Sequence, residues 1–266
     1  MSQSERLSTV FVCCDGMAAV GKGTLLDYLH DEHDFVCLSS GFLYRAITSW
    51  ALLRGLDLEH PEEFQKIIDE LQIQLMVDAA GVLSIELSSD SQVSCFTIDD
   101  TKTILRNPEI DAVISFVSAS AALQEKVDQA IMQLIPEYKS IVLDGRDTYR
   151  FINAIAAYSG DISVITFALY LYAQTEVLQQ RAEQRLIQQA AERGELVTET
   201  MLAEEAGAVV TRNEKDFTRE SGRLLRPEEA AAADVYDLVL DTSHITAAEV
   251  AQTVWLALRE LVPERN

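Results

Sequence analysis

The 266-residue sequence predicts an α/β protein with a five-stranded parallel sheet flanked by helices. Two observations predict it. Five apolar, β-branched runs show no polar alternation, which is how strands covered on both faces of a parallel sheet read. Stretches of helical periodicity separate these runs, and strands that alternate with helices imply a parallel sheet whose ligands bind at the carboxyl ends of its strands.

The first run, Thr9 to Cys14, passes through "DGMAAVGKGT" into helical spacing from Leu25 to Leu29, so its glycines fall at a strand-to-helix turn. The first turn of a helix leaves backbone N–H groups unpaired and carries the positive end of the helix dipole, a natural seat for phosphate. Gly16 and Gly21 let the backbone approach phosphate oxygens without a Cβ in the way, and Lys22 brings a positive charge to them. Gly23 follows the lysine, so Thr24 has to supply the hydroxyl. The competing reading is an ordinary βα turn.

A second strand is expected at "FVCLSSG" (Phe35 to Gly41) and a helix at Phe42 to Gly55, with a further helix in "HPEEFQKIIDEL" opened by Pro61. Between Ile73 and Ile98, three short β-rich runs separated by "DAAG" and "SSDS" predict a small antiparallel meander, read as an insertion. Apolar spacing from Pro108 to about Leu134 predicts one long or once-broken helix. "SIVLDGRD" is the third core strand and "DISVITFALYL" the fourth. A helix then runs from Thr175 to Gly194, another occupies Thr200 to Arg212 or beyond, "YDLVLDT" is the fifth strand, and "TAAEVAQTVWLALREL" closes the chain as an amphipathic helix.

The formal charge of -22 argues against non-specific nucleic-acid binding, so an anionic ligand needs a local cluster of positive charge. No apolar run has the length of a membrane span, and the opening "MSQSERLST" lacks the apolar region of a signal peptide, which predicts a cytoplasmic protein with no membrane partner. Cys13, Cys14, Cys37 and Cys95 show no C-x-x-C spacing and no nearby histidine, and are read as buried reduced thiols. No protein-borne metal site is expected.

A second cluster of charge lies in "DGRD" and "RNEKDFTR". Arg212, Asp216 and Arg219 stand at i, i+4 and i+7, on one face if the segment is helical. Two arginines flanking an aspartate can clamp a phosphate while the carboxylate takes sugar hydroxyls. A solvated helix face with internal ion pairs is the alternative.

In order along nearly the whole chain, "DGMAAVGKGT", "LSSGFLYR", the three-stranded insertion, "LRNPEIDAVISFVSA", "LDGRD", "YAQTEVLQQR", "RNEKDFTR" and "LDTSHITAAEV" resemble the bacterial cytidylate (CMP/dCMP) kinases, P-loop relatives of adenylate kinase. The resemblance implies a single P-loop kinase unit over residues 1–266, with a core of about 7–38, 106–181 and 212–266. It implies an inserted monophosphate-binding domain at about 39–105 and a mobile lid at about 182–211. The implied reaction is ATP-dependent phosphoryl transfer to a pyrimidine nucleoside monophosphate, with Mg²⁺ accompanying ATP, and the expected state is a monomer.

The resemblance also assigns residues. Gly16, Gly21, Lys22, Gly23 and Thr24 would hold the ATP phosphates, with Arg185 reaching them from the lid. Ser40, Tyr44 and Arg45 would line the monophosphate site, and Arg146 and Arg219 would join Arg45 on the acceptor phosphate. Ser115 and Asp147 would face the cytosine, and Arg212 with Asp216 the sugar. Lys22, Arg146 and Arg219 are the implied catalytic set. Asp15 and Asp144 suit the ordering of water around magnesium or the lysine. Departures from the family gather around base recognition: Ser39 replaces an aspartate, Gln124 an arginine, and Tyr149 and Arg150 follow "DGRD". Gln124 can donate as well as accept, which weakens discrimination of CMP from UMP. A P-loop kinase with a shifted acceptor, such as UMP or another small phosphate ester, and a nucleotide-binding regulator without turnover are the other readings. Retention of Lys22, Arg146 and Arg219 together argues against the regulator.

Overall fold

The computed structural model describes residues 8–56, 58, 65, 68–79, 81–89, 92–105, 107–156, 163–219 and 222–262. Along the chain lie β1 (Ser8–Gly16), α1 (Lys22–His33), β2 (Val36–Ser39), α2 (Ser40–Leu53), β3 (Gln72–Val77), β4 (Leu83–Ser89), β5 (Gln92–Thr97) and a 3-10 turn (Ile98–Lys102). There follow α3 (Pro108–Ala119), α4 (Ala121–Leu134), β6 (Ser140–Gly145), α5 (Arg150–Ala156), β7 (Ser163–Tyr172), α6 (Thr175–Arg193), α7 (Glu199–Thr218), α8 (Pro227–Ala232), β8 (Leu238–Asp241) and α9 (Ala247–Leu258). Pro61 and the start of its expected helix fall outside the described residues. Ile68 to Glu70 are helical.

A parallel sheet in the order β2-β6-β1-β7-β8 and a separate antiparallel sheet in the order β3-β4-β5 carry the fold. The unbroken apolar run of β1 has its physical basis here: Val10 to Cys14 are fully buried, so neither face of that run meets water. β4 instead alternates, burying Leu83, Ile85 and Leu87. The long apolar stretch from Pro108 breaks once, at Ser120. Its backbone leaves the helical region (φ -67, ψ 114), its N–H closes α3 on Val117 O, and its hydroxyl accepts from Leu123 N–H to open α4. Gly194, in the left-handed region at φ 69, ends α6 where glycine was expected to end it.

Two expected boundaries shift. Ser40 and Gly41 belong to α2 rather than to the second strand, because the Ser39 hydroxyl accepts from Phe42 N–H and starts the helix there. Cys95 is exposed and Cys37 only partly buried, unlike the buried Cys13 and Cys14; Cys95 lies on β5 at the edge of the antiparallel sheet, and none of the four is in a disulfide. Among the described residues no helix is long and apolar enough to cross a membrane.

The chain falls into two compact units, one of Met1–Phe11, Asp34–Asp144 and Asn153–Ile165, the other of Val12–His33, Gly145–Ile152 and Thr166–Asn266. In the first, α2 buries Phe42, Leu43, Ile47 and Trp50 and packs on α3 and β4, while α4 lies on β3. In the second, α1 packs on α9, with the His33 ring stacked on Trp255 at 3.5 Å, and α6 and α7 form a hairpin.

At the centre of the second unit, the carboxylate of Asp15 is fully buried. Oδ1 accepts from the Thr148 N–H and hydroxyl, both at 2.8 Å, and Oδ2 from Tyr149 N–H and the Tyr236 hydroxyl, both at 3.1 Å. Tyr236 packs edge-on against Tyr149 and Tyr170. The end of β1, the turn after β6 and the entry to β8 are thereby tied to one side chain. Asp15 therefore does not order water around magnesium or the lysine, because both its oxygens are engaged inside the protein.

Gly16→Ala places a Cβ 2.4 Å from Leu171 O at φ 154, where a backbone atom blocks it. The expected cost is about 3 kcal/mol, read as a lower urea midpoint. Asp15→Asn leaves at least one buried donor facing an amide NH2 and is expected to cost about 2 to 4 kcal/mol. Burial pushes the Asp15 carboxyl above its ordinary value, against the pull of the bonds from Thr148, Tyr149 and Tyr236. As pH falls through that raised pKa, the native state takes up the proton before the unfolded chain does, so the Asp15 contribution to stability grows. The stability difference between wild type and Asp15→Asn is accordingly expected to widen as pH falls from neutrality; a narrowing gap contradicts the sign.

Candidate functional site

The phosphate-loop residues all lie in the second unit. From Gly16 the backbone turns out of β1, with Met17 N–H donating to Leu171 O at 3.2 Å and Ala18 N–H to Asn213 Oδ1 at 2.7 Å. Ala19 is left-handed at φ 61 and Gly21 has φ 101. Lys22 is nearly buried and arches back over the loop, its Nζ donating to Gly16 O at 2.8 Å and Met17 O at 3.1 Å. The ammonium is thus held by two backbone carbonyls of the loop. A Cβ on Gly21 or Gly23 would meet no heavy atom within 4 Å, so both flank open space, and Thr24 stands exposed on the first turn of α1.

A second cluster in the same unit is built around Asp216, 2% exposed on the inner face of α7. Arg146 Nε donates to its Oδ2 at 2.6 Å and Arg219 Nη2 approaches its Oδ1 at 3.0 Å. A solvated helix face does not describe this arrangement, because the carboxylate is buried and Arg146 arrives from 70 residues away. The helix ends at Thr218, and Arg219 is the extended residue that follows it (φ -59, ψ 142), so the expected single helical face of three residues is replaced by a helix-end clamp. Arg212 is exposed one turn before Asp216. Two guanidinium groups thus converge on one carboxylate, which brings two cations to one place. Beside them Arg150 lies 3.9 Å from Asp147 and over the Phe151 ring.

Ser40, Tyr44, Arg45, Ser115, Gln124 and Asp144 belong to the first unit. Ser40 opens α2, Tyr44 is buried along it, and Arg45 donates to Leu105 O at 2.8 Å and to Asp111 at 2.5 Å. Gln124 donates its amide NH2 to Ser118 O at 2.7 Å, across the break between α3 and α4. Ser115 falls on α3, and its side chain lies outside the described residues. Asp144 pairs in register with Ser39 at the end of β6. On the α6–α7 hairpin Arg185 pairs with Glu205 at 2.8 Å.

Sequence reasoning passed over three residues that shape the site. Tyr236 closes the Asp15 network. Asn213 bonds the phosphate loop, and its one available signal was its place with Asp216 and Phe217 at i, i+3 and i+4 on the buried stripe of α7. Arg181 donates to Val20 O at 3.3 Å and to Thr242 Oγ1 and O at 2.9 and 2.6 Å. Burial lowers its pKa, partly offset by Asp241.

The family model for cytidylate kinase matches residues 12–260. The chain is 26% identical over 249 residues to a cytidylate kinase of Protochlamydia amoebophila, covering 92% of this chain and 97% of the relative. It is 26% identical over 245 residues to one of Bacillus licheniformis, covering 91% and 93%, and 27% identical over 248 residues to one of Streptococcus pneumoniae, covering 93% and 96%. The matched stretch carries both the glycine-rich loop with its lysine and the arginines gathered on Asp216, and on that ground the chain belongs to the cytidylate kinase family of nucleoside monophosphate kinases.

Proposed function

We propose that the protein transfers the γ-phosphoryl group of ATP to CMP or dCMP. The observation that carries this reading is the buried Asp216 holding Arg146 and Arg219 together in the same compact unit as the phosphate loop. A loop that only bound a nucleotide would need no second cluster of positive charge.

In this reading the backbone amides from Gly16 to Gly23 take the donor phosphates, and Lys22 exchanges the carbonyls of Gly16 and Met17 for phosphate oxygens. Magnesium suits the loop, because the exposed Thr24 hydroxyl and the open space beside Gly21 and Gly23 leave room for an ion that keeps several waters and is carried by the nucleotide. When bound it would supply further positive charge near the transferred group. Arg146 and Arg219 grip the acceptor phosphate, with Arg45 as a third cation and Asp216 directing the pair, while Asp216 and Arg212 meet the sugar. No general base is required, since a monophosphate is already largely ionised at neutral pH. The segment of about 182–211 acts as a lid that excludes water, with Arg185 exchanging Glu205 for phosphate.

For the base, Asp147 accepts from the amino group of cytosine and repels O4 of uracil, and Ser115 joins it. One observation favours a second substrate. The Gln124 amide NH2 is held by Ser118 O, so this residue presents a carbonyl oxygen, which suits N3–H of uracil as well as the cytosine amino group.

A coupled ADP-release assay with ATP, Mg²⁺ and CMP, dCMP, UMP or AMP is expected to rank CMP and dCMP first and UMP a measurable second; AMP or UMP in first place overturns the assignment. Lys22→Ala is expected to fold normally and to lose about 3 to 4 kcal/mol of transition-state stabilisation, a rate factor of several hundred. Arg219→Ala, which removes a partly exposed cation, is expected to raise KM for the monophosphate by about 2 kcal/mol, some thirtyfold, with KM for ATP nearly unchanged. The opposite split would show the two sites to be assigned the wrong way round.

A further inference from the structure

We propose that Asn213 and Arg181 are positioning residues that hold the phosphate loop in its binding conformation and couple it to the α6–α7 hairpin. The inference rests on the reading of Gly16 to Thr24 as the seat of the ATP phosphates.

Three features of the loop converge. Ala19 has φ 61, a left-handed conformation that is unfavourable for a residue with a Cβ and persists only where its surroundings enforce it. The residues on either side are each held by a side chain from outside the loop. On one side Ala18 N–H donates to Asn213 Oδ1 at 2.7 Å, with Ala18 7% and Asn213 5% exposed. On the other, Val20 O accepts from Arg181 Nη1 at 3.3 Å. The second bond is long, but its donor is well anchored. Arg181 also donates to Thr242 O at 2.6 Å and Thr242 Oγ1 at 2.9 Å, and Thr242 is fully buried, with its own N–H and hydroxyl directed to Tyr172 O.

The two side chains come from the two helices of one hairpin. Arg181 lies in the second turn of α6 and Asn213 in the penultimate turn of α7, so both sit at the hairpin's root. A rotation of either helix pulls directly on the amide or the carbonyl next to the strained residue. Loop geometry and hairpin orientation therefore share one equilibrium, and a ligand that favours one state of the loop favours the matching state of the hairpin. Asn213 also lies three residues before Asp216, so the same turn of α7 carries the loop latch and the arginine clamp.

Amide hydrogen exchange in the nucleotide-free protein tests the latch without recourse to catalysis. The Ala18 amide is expected to exchange slowly in wild type, and fast exchange there overturns the proposal before any variant is made. Asn213→Ala is expected to speed exchange at Ala18 and to raise KM for ATP by about tenfold, the effect of losing one buried hydrogen bond, while KM for the acceptor changes less than about twofold. Asn213→Asp returns an acceptor oxygen to the same place and is expected to restore slow exchange, although its added charge beside the phosphates keeps ATP binding weak. Combining Asn213→Ala with Ala19→Gly is expected to shrink the ATP penalty to about threefold or less, because glycine adopts the left-handed conformation without the latch. A loss of thermal stability in Asn213→Ala with unchanged Ala18 exchange and unchanged KM for ATP assigns Asn213 to packing alone and overturns the proposal. Failure of the phosphate-loop reading is distinguishable: Lys22→Ala would then turn over normally, whatever exchange at Ala18 showed.

Discussion

One buried carboxylate, Asp15, is the constraint on which the second compact unit depends. A charge removed from water is tolerated only when hydrogen bonds replace its hydration, and four donors do so here. Those donors belong to chain segments distant in sequence, so satisfying the carboxylate also decides where the segments meet. Gly16 begins the phosphate loop one residue after it, and Arg146 and Asp147 immediately precede the Thr148 and Tyr149 that bond to it. The loop's origin and the clamp arginine from β6 are therefore set by the same interaction. Thr148 and Tyr149 follow "DGRD", and the network shows what these residues do: they close on Asp15.

Strain and satisfaction are distributed around the loop in the same way. Ala19 holds an unfavourable backbone conformation, and bonds on both sides of it come from residues on α6 and α7. Lys22, whose charge suits phosphate, donates to the carbonyls of Gly16 and Met17, so the nearly buried ammonium is partnered within the loop itself. A carbonyl pair is a weaker partner than a phosphate oxygen, and exchange toward an anionic ligand is favourable.

The strongly acidic composition gives the arginine clamp its meaning. In a chain of charge -22, an anionic substrate is repelled at long range and has to be held by a local concentration of cations. Asp216 gathers two of them at one point while buried itself, which orients the guanidinium groups. Arg45, in the other unit, is likewise oriented by Leu105 O and Asp111.

The order of strands and helices was legible from sequence because it depends on local chemistry. Apolar runs without alternation mark strands with two covered faces, as β1 is; Gly194 ends a helix because only glycine enters the left-handed region cheaply; the glycines and Lys22 mark the phosphate loop because of what a helix start leaves unpaired. The break at Ser120 was half legible, since a serine caps helices only when its backbone also leaves the helical region. The partners of the polar side chains were not legible. Asp15 read as a ligand for magnesium-bound water, Arg212 to Arg219 read as one helical face, and Asn213 and Arg181 did not stand out. The sequence by itself determined which segments are strands and helices and where the glycine-rich turn between them falls, because each such choice is made within about a dozen neighbouring residues. Only the tertiary structure decided that Asp15 is walled in by Thr148, Tyr149 and Tyr236, that Arg146 crosses 70 residues to meet Asp216, and that Asn213 reaches back to Ala18. Hydrogen bonds between residues so far apart are chosen by which groups folding buries together and leaves in need of a partner.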